Sequence, residues 1–591
     1  MDHPVVCDGA CRLSILESDA RTWVDVVRGH AERTPAAIAF TFLVDGEEDE
    51  EHLTFGELDR RARSVAVALR DAGYTGRRVL LLYPPGLDFI VAFVGCLYAR
   101  VVAVPVYPPD PFRLERTVPR LSAISESAGA LAILTTRAMV ALAPVMLTHA
   151  PELAALPLLA TDAFDDAPER WNGSDATCHD VAFLQYTSGS TASPKGVVIT
   201  HRNATANVRM MAEVGGHDRD TVIVSWLPAY HDLGLIGAIL HPLHLGARSV
   251  LFSPIAFIER PMRWPRALAR HRATVTAAPN FAFDLCVRKS TPAERAKLDL
   301  SALRMLMAGA EPINPTTLRR FAEAFGSSGL DTGAFFIGYG LAEATLSVSA
   351  GWPGSGLIRS FSSAALSEGR LEAIDENAGG AREVVSCGWP LPHQRVLVVD
   401  PESHVPCEPG RVGEVWVSGP NVASGYWNRP EETDATFAAR LATGEGPFLR
   451  TGDLGAFHAS ELLVVGRRKD LIIVNGRNHA PQDIEWTVQR AHPKLSTSSA
   501  AAFAVARDGA EELVVVAELP SSVDAREAEE VERAARRAVA REHDLRLARV
   551  VFVAAKSLPK TSSGKLKRSA ARDAYMNGSL DVSATAKEGT G

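Results

Sequence analysis

The segment RVLLLYPPGLDFIVAFVGCLYARVVAVPV, residues 78–106, decides the fold class. Two short apolar runs, RVLLLY and VVAVPV, flank a longer apolar stretch that begins at Gly86 and ends at Arg100. Continuous apolar strands separated by a helix are typical of a parallel sheet that helices cover. The same alternation returns where TVIVSW precedes DLGLIGAIL and where ATVTAAP precedes NFAFDLCVRK. The sequence therefore predicts an α/β fold with mixed, mostly parallel sheets covered by helices.

The pattern changes twice after this α/β region, which spans about residues 20–345. At about residues 384–468, strands such as RVLVVD and GEVWVSG alternate with Gly and Pro turns, which indicates a β-rich subdomain. Further on, the strands LIIVNG and ELVVVAEL and a charged helix at residues 524–542 indicate a small α+β unit. We predict a large N-terminal domain (1–468), a small C-terminal domain (469–575) and a disordered tail (576–591).

Composition excludes several classes of protein. The 591 residues carry a formal net charge of −8, which argues against the basic surface that nucleic-acid binding needs. The seven cysteines are odd in number and contain no C-x-x-C pair, as expected in a reducing compartment. No signal peptide is evident, and the longest apolar run, FIVAFVGCLYA, is too short to span a bilayer. We expect a cytoplasmic protein with no transmembrane segment and no nucleic-acid partner.

The segment LQYTSGSTASPKGVVITH (residues 184–201) places a loop rich in Gly, Ser and Thr between two apolar strands. Such a loop can direct backbone N–H groups and hydroxyls at an anion, and Lys195 adds a positive charge suited to phosphate. The order P-K-G differs from the G-K-[ST] of a Walker A loop. A flexible linker is the alternative, although linkers rarely separate two strongly apolar strands. On this segment alone both interpretations stay open.

Six motifs in chain order resemble those of the adenylate-forming superfamily, which includes acyl-CoA ligases, peptide-synthetase adenylation domains and luciferases. The resemblance covers about residues 20–575, and the one departure is Ala342, where the superfamily has Thr in Y-G-x-T-E. The motifs are YTSGSTASPKGV (186–197), AGAEPI (308–313), GYGLAEAT (338–345), RTGDLG (450–455), GRRKDLIIVNGRNHAPQDIE (466–485) and PKTSSGKLKR (559–568).

This resemblance implies a reaction that joins a carboxylate to the α-phosphate of ATP and releases pyrophosphate, with ATP and Mg²⁺ as cofactors. It implies that Lys195 holds phosphates, that Glu343 binds Mg²⁺, and that Asp453 and Arg467 bind the ribose. Tyr339 would stack on adenine, with a core tyrosine as the structural alternative. The other implied nucleotide-binding residues are Thr187, Ser188, Gly189, Ser190, Thr191, Gly309, Ala310, Glu311, Gly338, Gly340, Ala342 and Thr345.

Three further residues are assigned through the resemblance. Lys565 would be the catalytic lysine that bridges the carboxylate and the α-phosphate, although Lys567 and Arg568 lie close enough to be confused with it. Lys469 would be the hinge about which a mobile C-terminal domain rotates. His231 stands where amino-acid-activating relatives have an aspartate for the substrate ammonium, and the resemblance places its side chain beside the acyl carboxylate, with a core histidine as the structural alternative. An unpaired buried ammonium is costly, so we expect an acid without an amino group.

Several phrases, among them SWLPAYHDLGLIG and DLIIVNGRNHAPQDIE, resemble the fatty acyl-AMP ligase branch, and so does the long segment at residues 343–388. That resemblance implies a fatty acid substrate and transfer of the acyl group to the phosphopantetheine thiol of an acyl carrier protein, or of a synthase domain, supplied in trans. A medium- or long-chain fatty acyl-CoA ligase is the alternative. A non-catalytic acyl-nucleotide-binding protein is the second alternative, and the intact motifs argue against it.

Overall fold

The computed structural model describes residues 21–108, 114–148, 150–187, 194–351, 358–474, 477–496, 498–507, 510–561 and 565–582. The strands, in chain order, are β1 (Ile38–Leu43), β2 (Glu50–Thr54), β3 (Arg78–Leu81), β4 (Val102–Pro105), β5 (Ile133–Thr135), β6 (Leu158–Ala160), β7 (Val181–Tyr186), β8 (Gly196–Thr200), β9 (Val222–Ser225), β10 (Arg248–Phe252), β11 (Val275–Ala278), β12 (Met305–Ala308), β13 (Phe335–Gly340), β14 (Ser347–Ala350), β15 (Ile358–Ser362), β16 (Ala381–Val385), β17 (Trp389–Pro390), β18 (Arg395–Val399), β19 (Gly413–Ser418), β20 (Leu449–His458), β21 (Glu461–Arg467), β22 (Ile472–Val474), β23 (Arg477–His479), β24 (Ala500–Arg507), β25 (Ala510–Leu519) and β26 (Leu547–Ala554).

Helices separate most of these strands in the first half of the chain. A π-helix occupies Leu233–Leu240. The α-helices are α1 (Trp23–Arg33), α2 (Phe55–Asp71), α3 (Leu87–Ala99), α4 (Leu114–Ala128), α5 (Arg137–Leu147), α6 (Pro151–Ala154), α7 (His201–Gly215), α8 (His241–Leu245), α9 (Pro254–Glu259), α10 (Arg263–Arg270), α11 (Asn280–Arg288), α12 (Pro292–Arg295), α13 (Pro315–Phe325), α14 (Ser363–Ser367), α15 (Pro430–Phe437), α16 (Pro481–Ala491), α17 (Ala525–His543) and α18 (Arg568–Met576).

Two large sheets form the first half of the protein. The first has six strands in the order β6-β5-β3-β4-β7-β8, all parallel except β8. The second has nine strands in the order β17-β14-β13-β12-β11-β9-β10-β1-β2. Its six central strands, β13 to β1 in that order, are parallel, and its outer strands are antiparallel. This arrangement confirms the predicted α/β class.

Helix α3 explains how the two sheets share one core. All but one of its 13 residues are buried, and it packs in a cluster with apolar residues of β3 and β4 from one sheet and of β1 from the other. A helix that is apolar all round belongs in such a buried layer. Gly95 allows close approach to α2, since a Cβ there would lie 2.5 Å from Val65 Cγ1. The predicted helix at residues 86–100 is therefore present and central.

The β-rich region expected near residues 384–468 contains the four antiparallel strands β18 to β21. The C-terminal unit contains the hairpin β22–β23 and the three-stranded sheet β24-β25-β26. The charged helix predicted at residues 524–542 is α17, and the Asp524 side chain caps it by accepting a hydrogen bond from Glu527 N at 2.8 Å.

The tail prediction needs a correction. The sequence predicts a disordered tail at residues 576–591 because they are polar and near the chain end, but Met576 ends α18 and the next six residues continue along the C-terminal sheet. Ala554 N donates to Asp581 O at 3.4 Å, Val582 pairs with Val553, and Leu580 contacts the apolar cluster around Phe503. Residues 583–591 lie outside the described residues. Among the helices that the structure describes, none is long and apolar enough to cross a membrane.

Candidate active site

A cleft of about 2580 Å³ lies where the two large sheets, the β-rich sheet and the C-terminal unit come together. Each of these four parts contributes wall residues, so distant segments of the chain meet in one place. The predicted site residues that line the cleft are Thr187, Lys195, His231, Ala310, Glu311, Gly338, Tyr339, Gly340, Ala342, Glu343, Asp453, Arg467, Lys469 and Lys565.

The topology of the sheets explains this convergence. In open α/β sheets, ligands bind beyond the carboxyl ends of parallel strands. Thr187 follows the carboxyl end of β7, and His231, Ala310 and Glu343 lie in the loops after β9, β12 and β13. Since β9, β12 and β13 are parallel members of one sheet, their loops emerge at the same edge. The motifs recognised in the sequence are therefore mostly loops that follow parallel strands.

Asp453 is the centre of a hydrogen-bonded group on the β-rich side. It is buried and stands opposite Arg467 across the β20–β21 pair. The Tyr339 hydroxyl donates to Asp453 Oδ2 at 2.8 Å, and Arg467 Nε donates to Oδ1 at 3.0 Å. The charge of Asp453 raises the pKa of Arg467, and burial raises the pKa of Tyr339. Each carboxylate oxygen has more than one lone-pair site, so Asp453 can also accept hydrogen bonds from ribose hydroxyls.

A second buried carboxylate, Glu414 on β19, holds the turn that carries Asp453. Arg450 donates to Glu414 Oε2 through Nε at 2.9 Å and Nη2 at 2.6 Å, and Gly452 N donates to Oε1 at 3.2 Å. Gly452 has φ +71°, a backbone conformation that glycine adopts without strain. The Thr451 hydroxyl donates to Val415 O at 2.7 Å and accepts from Asp453 N at 3.1 Å. These bonds fix the backbone of the T-G-D segment to the neighbouring strand.

Glu343 lies in a 3₁₀ turn at Ala342–Ala344 and faces the cleft. Tyr426 donates its hydroxyl to Glu343 Oε1 at 2.8 Å. Burial raises the pKa of Glu343, and the Tyr426 hydroxyl opposes this rise. Mg²⁺ in nucleotide sites is usually held by one or two carboxylates together with phosphate oxygens and water. Glu343 fits that pattern, and within the described ranges no cluster of three or more His, Cys, Asp or Glu side chains could hold a metal alone.

Lys195 stands at the base of the Gly-, Ser- and Thr-rich loop. Its ammonium pairs with Glu432 on α15 and lies 4.9 Å from the ring centroid of Tyr426. Thr187 N donates to Lys195 O at 3.3 Å, so the two ends of the loop meet, and Arg120 Nη2 donates to Thr187 O at 2.7 Å. A cation held at the mouth of such a loop is suited to phosphate.

His231 and Asp232 form a tight pair at the amino end of the π-helix. His231 Nδ1 lies 2.6 Å from Asp232 Oδ1, and Leu233 N donates to the same oxygen at 2.7 Å. Burial acts to raise the pKa of Asp232, but His231 and Lys565 outweigh it and lower that pKa to about 2. Asp232 is therefore an ionised carboxylate that turns the Nδ1 side of His231 toward itself, which leaves Nε2 for another partner.

Lys565 lines the cleft beside this pair, and the neighbouring Lys560 and Lys567 line the cleft too. Burial lowers the pKa of Lys565, and the charge of Asp232 opposes the shift. The Thr561 hydroxyl accepts from Lys565 N at 3.0 Å, and Thr561 N donates to Lys565 O at 2.7 Å. Arg568 is engaged elsewhere, because Glu485 accepts from its Nε and Nη2 at 2.7 Å each. Arg568 is therefore held by an ion pair within the C-terminal unit, and the choice of Lys565 rather than Lys567 as the catalytic lysine stays a prediction.

Some predicted positions are placed differently. Thr345 is buried outside the cleft walls with φ +68°, and its hydroxyl donates to Asn421 O at 2.6 Å. This bond supports the fold, and the nucleotide contact that the motif implied for Thr345 stays a prediction. Gly309 is also buried behind the cleft wall, where a Cβ would lie 3.0 Å from Gly338 O. Both were named because they belong to motifs, yet the backbone turns them inward. Ser188, Gly189, Ser190 and Thr191 lie outside the described residues.

Around Lys469, the predicted hinge, the C-terminal unit contacts the rest of the protein. Lys469 lies in a 3₁₀ turn, Arg468–Asp470, directly after β21, and burial together with Arg467 lowers its pKa. On the facing side, Arg382 of β16 pairs with Asp483 of α16 at 2.6 Å. Arg382 belongs to the long segment at residues 343–388, so this segment contacts the C-terminal unit directly.

Sequence reasoning missed the residues that hold the predicted ones in place: Glu414, Tyr426, Glu432 and Asp232. A carboxylate within the apolar strand GEVWVSG was an available indication for Glu414, since buried charges are normally paired. Tyr426 lies in the loop GYWNR and Glu432 in the first turn of α15 directly after it, and neither stretch has a periodicity that would point to the site. Their roles depend on the pairing of that loop with β8, where Trp427 N donates to Gly196 O at 2.8 Å.

Comparison with known proteins agrees with this geometry. The AMP-binding enzyme family matches residues 27–427, and the AMP domain of Disco-interacting protein 2-like proteins matches residues 469–585. The medium-chain-fatty-acid–acyl-carrier-protein ligase JamA of Moorena producens (strain JHB) is 42% identical over 580 residues, or 96% of this chain and 98% of that protein. The long-chain-fatty-acid–AMP ligase FadD23 of Mycobacterium tuberculosis (strain CDC 1551 / Oshkosh) is 39% identical over 555 residues, or 90% of this chain and 93% of that protein.

One solved structure also matches nearly the whole chain. The fatty acyl-adenylate ligase from L. pneumophila, in complex with acyl adenylate and pyrophosphate, is 35% identical with a TM-score of 0.74, and the match covers 96% of this chain and 98% of that one. The family match spans more than half of the chain, and the relatives match it over nearly their full lengths. The chain belongs to the adenylate-forming AMP-binding enzymes and, within them, to the fatty acyl-AMP ligases.

Proposed function

We propose that the protein uses ATP to activate a fatty acid as its acyl-adenylate and then transfers the acyl group to the phosphopantetheine thiol of an acyl carrier protein. The observation that carries this proposal is the meeting of Lys565 with His231 and Asp232 in the cleft that also holds Asp453 and Glu343. The names of the two relatives, a carrier-protein ligase and an AMP ligase of fatty acids, support the choice of substrate.

In the first step, a carboxylate oxygen of the acid forms a bond to the α-phosphorus of ATP, and the bond from that phosphorus to the bridging oxygen breaks to release pyrophosphate. Both reactants are anions, so the site must position and neutralise them rather than build a strong nucleophile. Lys565 and the imidazole of His231 would face the reacting oxygens. Lys195 would hold the outer phosphates, and Asp453 with Arg467 would hold the ribose.

Mg²⁺ would be held by Glu343 together with the phosphates and would offset their charge. The role of this chain is to keep that carboxylate in place, and the hydrogen bond from Tyr426 does so.

In the second step, the acceptor thiol loses its proton, its sulfur bonds to the acyl carbon, and AMP leaves with the electrons of the acyl–oxygen bond. We propose that the C-terminal unit turns about Lys469 between the two steps. An acyl-CoA ligase would differ from this proposal only in the acceptor thiol. The contact between Arg382 and Asp483 is relevant to which acceptor is used, because it joins the inserted segment to the C-terminal unit. By restraining the C-terminal unit, the inserted segment would disfavour free coenzyme A as the acceptor. A carrier protein has a surface that can contribute binding energy, and coenzyme A does not.

We further propose the cytoplasm as the working compartment. Five described cysteines are unpaired thiols, as expected where disulfides are kept reduced.

Product analysis tests the proposal. The protein is incubated with Mg²⁺, ATP and a C12 fatty acid, alone, with coenzyme A, and with a phosphopantetheinylated carrier protein, and the acyl products are identified by mass. We expect acyl-AMP that persists beside coenzyme A and is consumed by the carrier protein. Efficient formation of acyl-CoA would favour the alternative ligase. Absence of acyl-AMP across a range of carboxylic acids would favour a non-catalytic nucleotide-binding protein.

A further inference from the structure

A small apolar cavity of about 50 Å³ lies behind the cleft. It is enclosed between strands β9, β11, β12 and β13 on one side and helix α7 and the π-helix on the other. Its walls include Ala277, Phe336 and Leu391. Two imidazoles at its edge, His217 and His241, bond to each other at 2.9 Å, and burial lowers the pKa of His217 to about 4. The walls are therefore uncharged, as a space for hydrocarbon requires.

The side chain of Met307 lies between this cavity and the cleft and lines both, together with Leu233 and Ser347. Its terminal methyl group occupies space that two glycines leave open. A Cβ on Gly338 would lie 2.6 Å from Met307 Cε, and a Cβ on Gly309 would lie 3.3 Å from it. Methionine has three rotatable side-chain bonds and adapts readily to irregular spaces. Met307 is thus a flexible side chain between the two spaces, and its methyl group packs over the backbone of Gly309 and Gly338.

The opposite wall is also kept open by a glycine. Gly237 lies within the π-helix, although glycine is less favourable than alanine in an ordinary helix interior. A Cβ at Gly237 would meet only Leu233 Cδ1 at 3.4 Å and Leu346 Cδ2 at 3.9 Å, so a larger side chain would extend into the cavity. The helix therefore leaves free volume at this position.

The cavity also lies in the right direction from the reacting end of the cleft. His231, which faces the acid group in the proposed function, stands just before the π-helix, and Leu233 of that helix lines both spaces. Leu233 and Met307 line both spaces, and Gly237, four residues further along the π-helix, lines the cavity. The cavity lining contains no Asp, Glu, Lys or Arg side chain, so an alkyl tail that entered it would meet no such charge there.

We propose that Met307 determines the acyl chain length that the protein accepts: when its thioether moves aside, the cavity admits the end of the alkyl tail. A single water needs about 10–15 Å³ on the same measure, so about 50 Å³ admits roughly two or three methylene groups. This inference rests on the proposed fatty acid substrate and specifies where that substrate ends. It also identifies a position at which relatives named for medium-chain and long-chain acids could differ.

The test compares kcat/KM for acyl-AMP formation with saturated acids from C8 to C18 in the wild type and in Met307→Ala. Each methylene that becomes newly buried is expected to raise kcat/KM about fourfold, so two should raise the ratio of longer to shorter acids by on the order of tenfold. Gly237→Val fills the cavity from the other side and should reverse that gain when combined with Met307→Ala. Met262→Ala is the matched control, because Met262 is a buried methionine that lines neither space.

An unchanged chain-length profile in Met307→Ala, equal to that of Met262→Ala, would overturn the inference while leaving the proposed function intact. A change of profile produced by Phe281→Ala alone would also overturn it and would place the tail along α11. If Met307→Ala proves inactive with every acid, the chain-length profile of Gly237→Val in the wild-type background decides whether the inference holds. Selective loss of the longest accepted acid supports the inference, and no loss refutes it. A wild type that adenylates no acid at all would instead refute the proposed function.

Discussion

The hydrogen bond from Tyr426 to Glu343 allows a sharp test of how the site holds the carboxylate that we propose as the Mg²⁺ ligand. Replacing Tyr426 with Phe removes one hydroxyl and retains the ring that lies 4.9 Å from the Lys195 ammonium. Glu343 then loses its donor at 2.8 Å while its burial stays the same. Because that bond lowers the pKa of Glu343 against the effect of burial, its loss should move this pKa further upward.

The expected magnitude follows from the kind of bond. A hydrogen bond to a charged group contributes about 1.5–3 kcal/mol, or roughly a tenfold to hundredfold change in an equilibrium. Water can partly replace the hydroxyl in an open cleft, so the lower end applies. We expect about a tenfold loss of apparent Mg²⁺ affinity in Tyr426→Phe. The acid limb of the pH–rate profile should move to higher pH, since the ionised form that binds the metal is lost at a higher pH when the pKa of Glu343 rises.

The assay measures pyrophosphate release against Mg²⁺ concentration from pH 6 to 9, with calorimetric titration of MgATP as a readout independent of turnover. Tyr426→Leu is the matched comparison: it also removes the ring and should lose a further factor of about three through the cation–π contact of Lys195. If Tyr426→Phe shows the wild-type Mg²⁺ dependence and the wild-type acid limb, the hydroxyl does not hold Glu343 in the working enzyme and the reasoning is refuted.

Three other substitutions probe separate parts of the site. Lys565→Ala should slow acyl-AMP formation by about 10²–10³ while MgATP still binds, and equal losses in both would contradict a role in the reaction itself. Asp453→Asn should raise the KM for ATP about tenfold with little change in the structure of the C-terminal unit. An unchanged KM would remove Asp453 from the ribose site. Glu414→Ala leaves Arg450 unpaired and should lower the free energy of unfolding in urea by roughly 2–3 kcal/mol, less than for a fully buried pair, and a wild-type midpoint would contradict this.

Much of the fold followed from the sequence because apolar runs report burial directly. The strand–helix–strand segment at residues 78–106 matches β3, α3 and β4 closely, since a helix apolar on every side has no other stable position. Strand order did not follow. The sequence gives no indication that β9 lies between β10 and β11, or that β1 lies beside β10, because those neighbours are set by contacts between segments far apart in the chain.

The site residues likewise fall into a group that the sequence predicted and a group that it did not. Residues in motifs, such as Asp453 and Lys565, were predicted because the resemblance carries them. The motif did not reveal that Thr345 turns inward at φ +68°, which only its bond to Asn421 explains. Nor did it reveal Tyr426, whose value to the site depends on Glu343, 83 positions away in the chain. Motifs therefore predict the residues expected to touch the substrates better than the residues that hold them.

The ion pairs of the C-terminal unit suggest how one lysine could serve one step and leave for the next. Arg568 binds Glu485 and lies 3.7 Å from Asp470, so the segment that carries Lys565 is tied to α16 within its own unit. Rotation about Lys469 would preserve those bonds and break two contacts with the larger domain. One is the attraction between Lys565 and Asp232, and the other is the pair of Arg382 with Asp483. The second pair joins the inserted segment to α16 and includes none of the residues proposed to bind the reactants, so it can restrain the rotation without contributing to adenylation. Weakening it should therefore alter acyl transfer more than acyl-AMP formation.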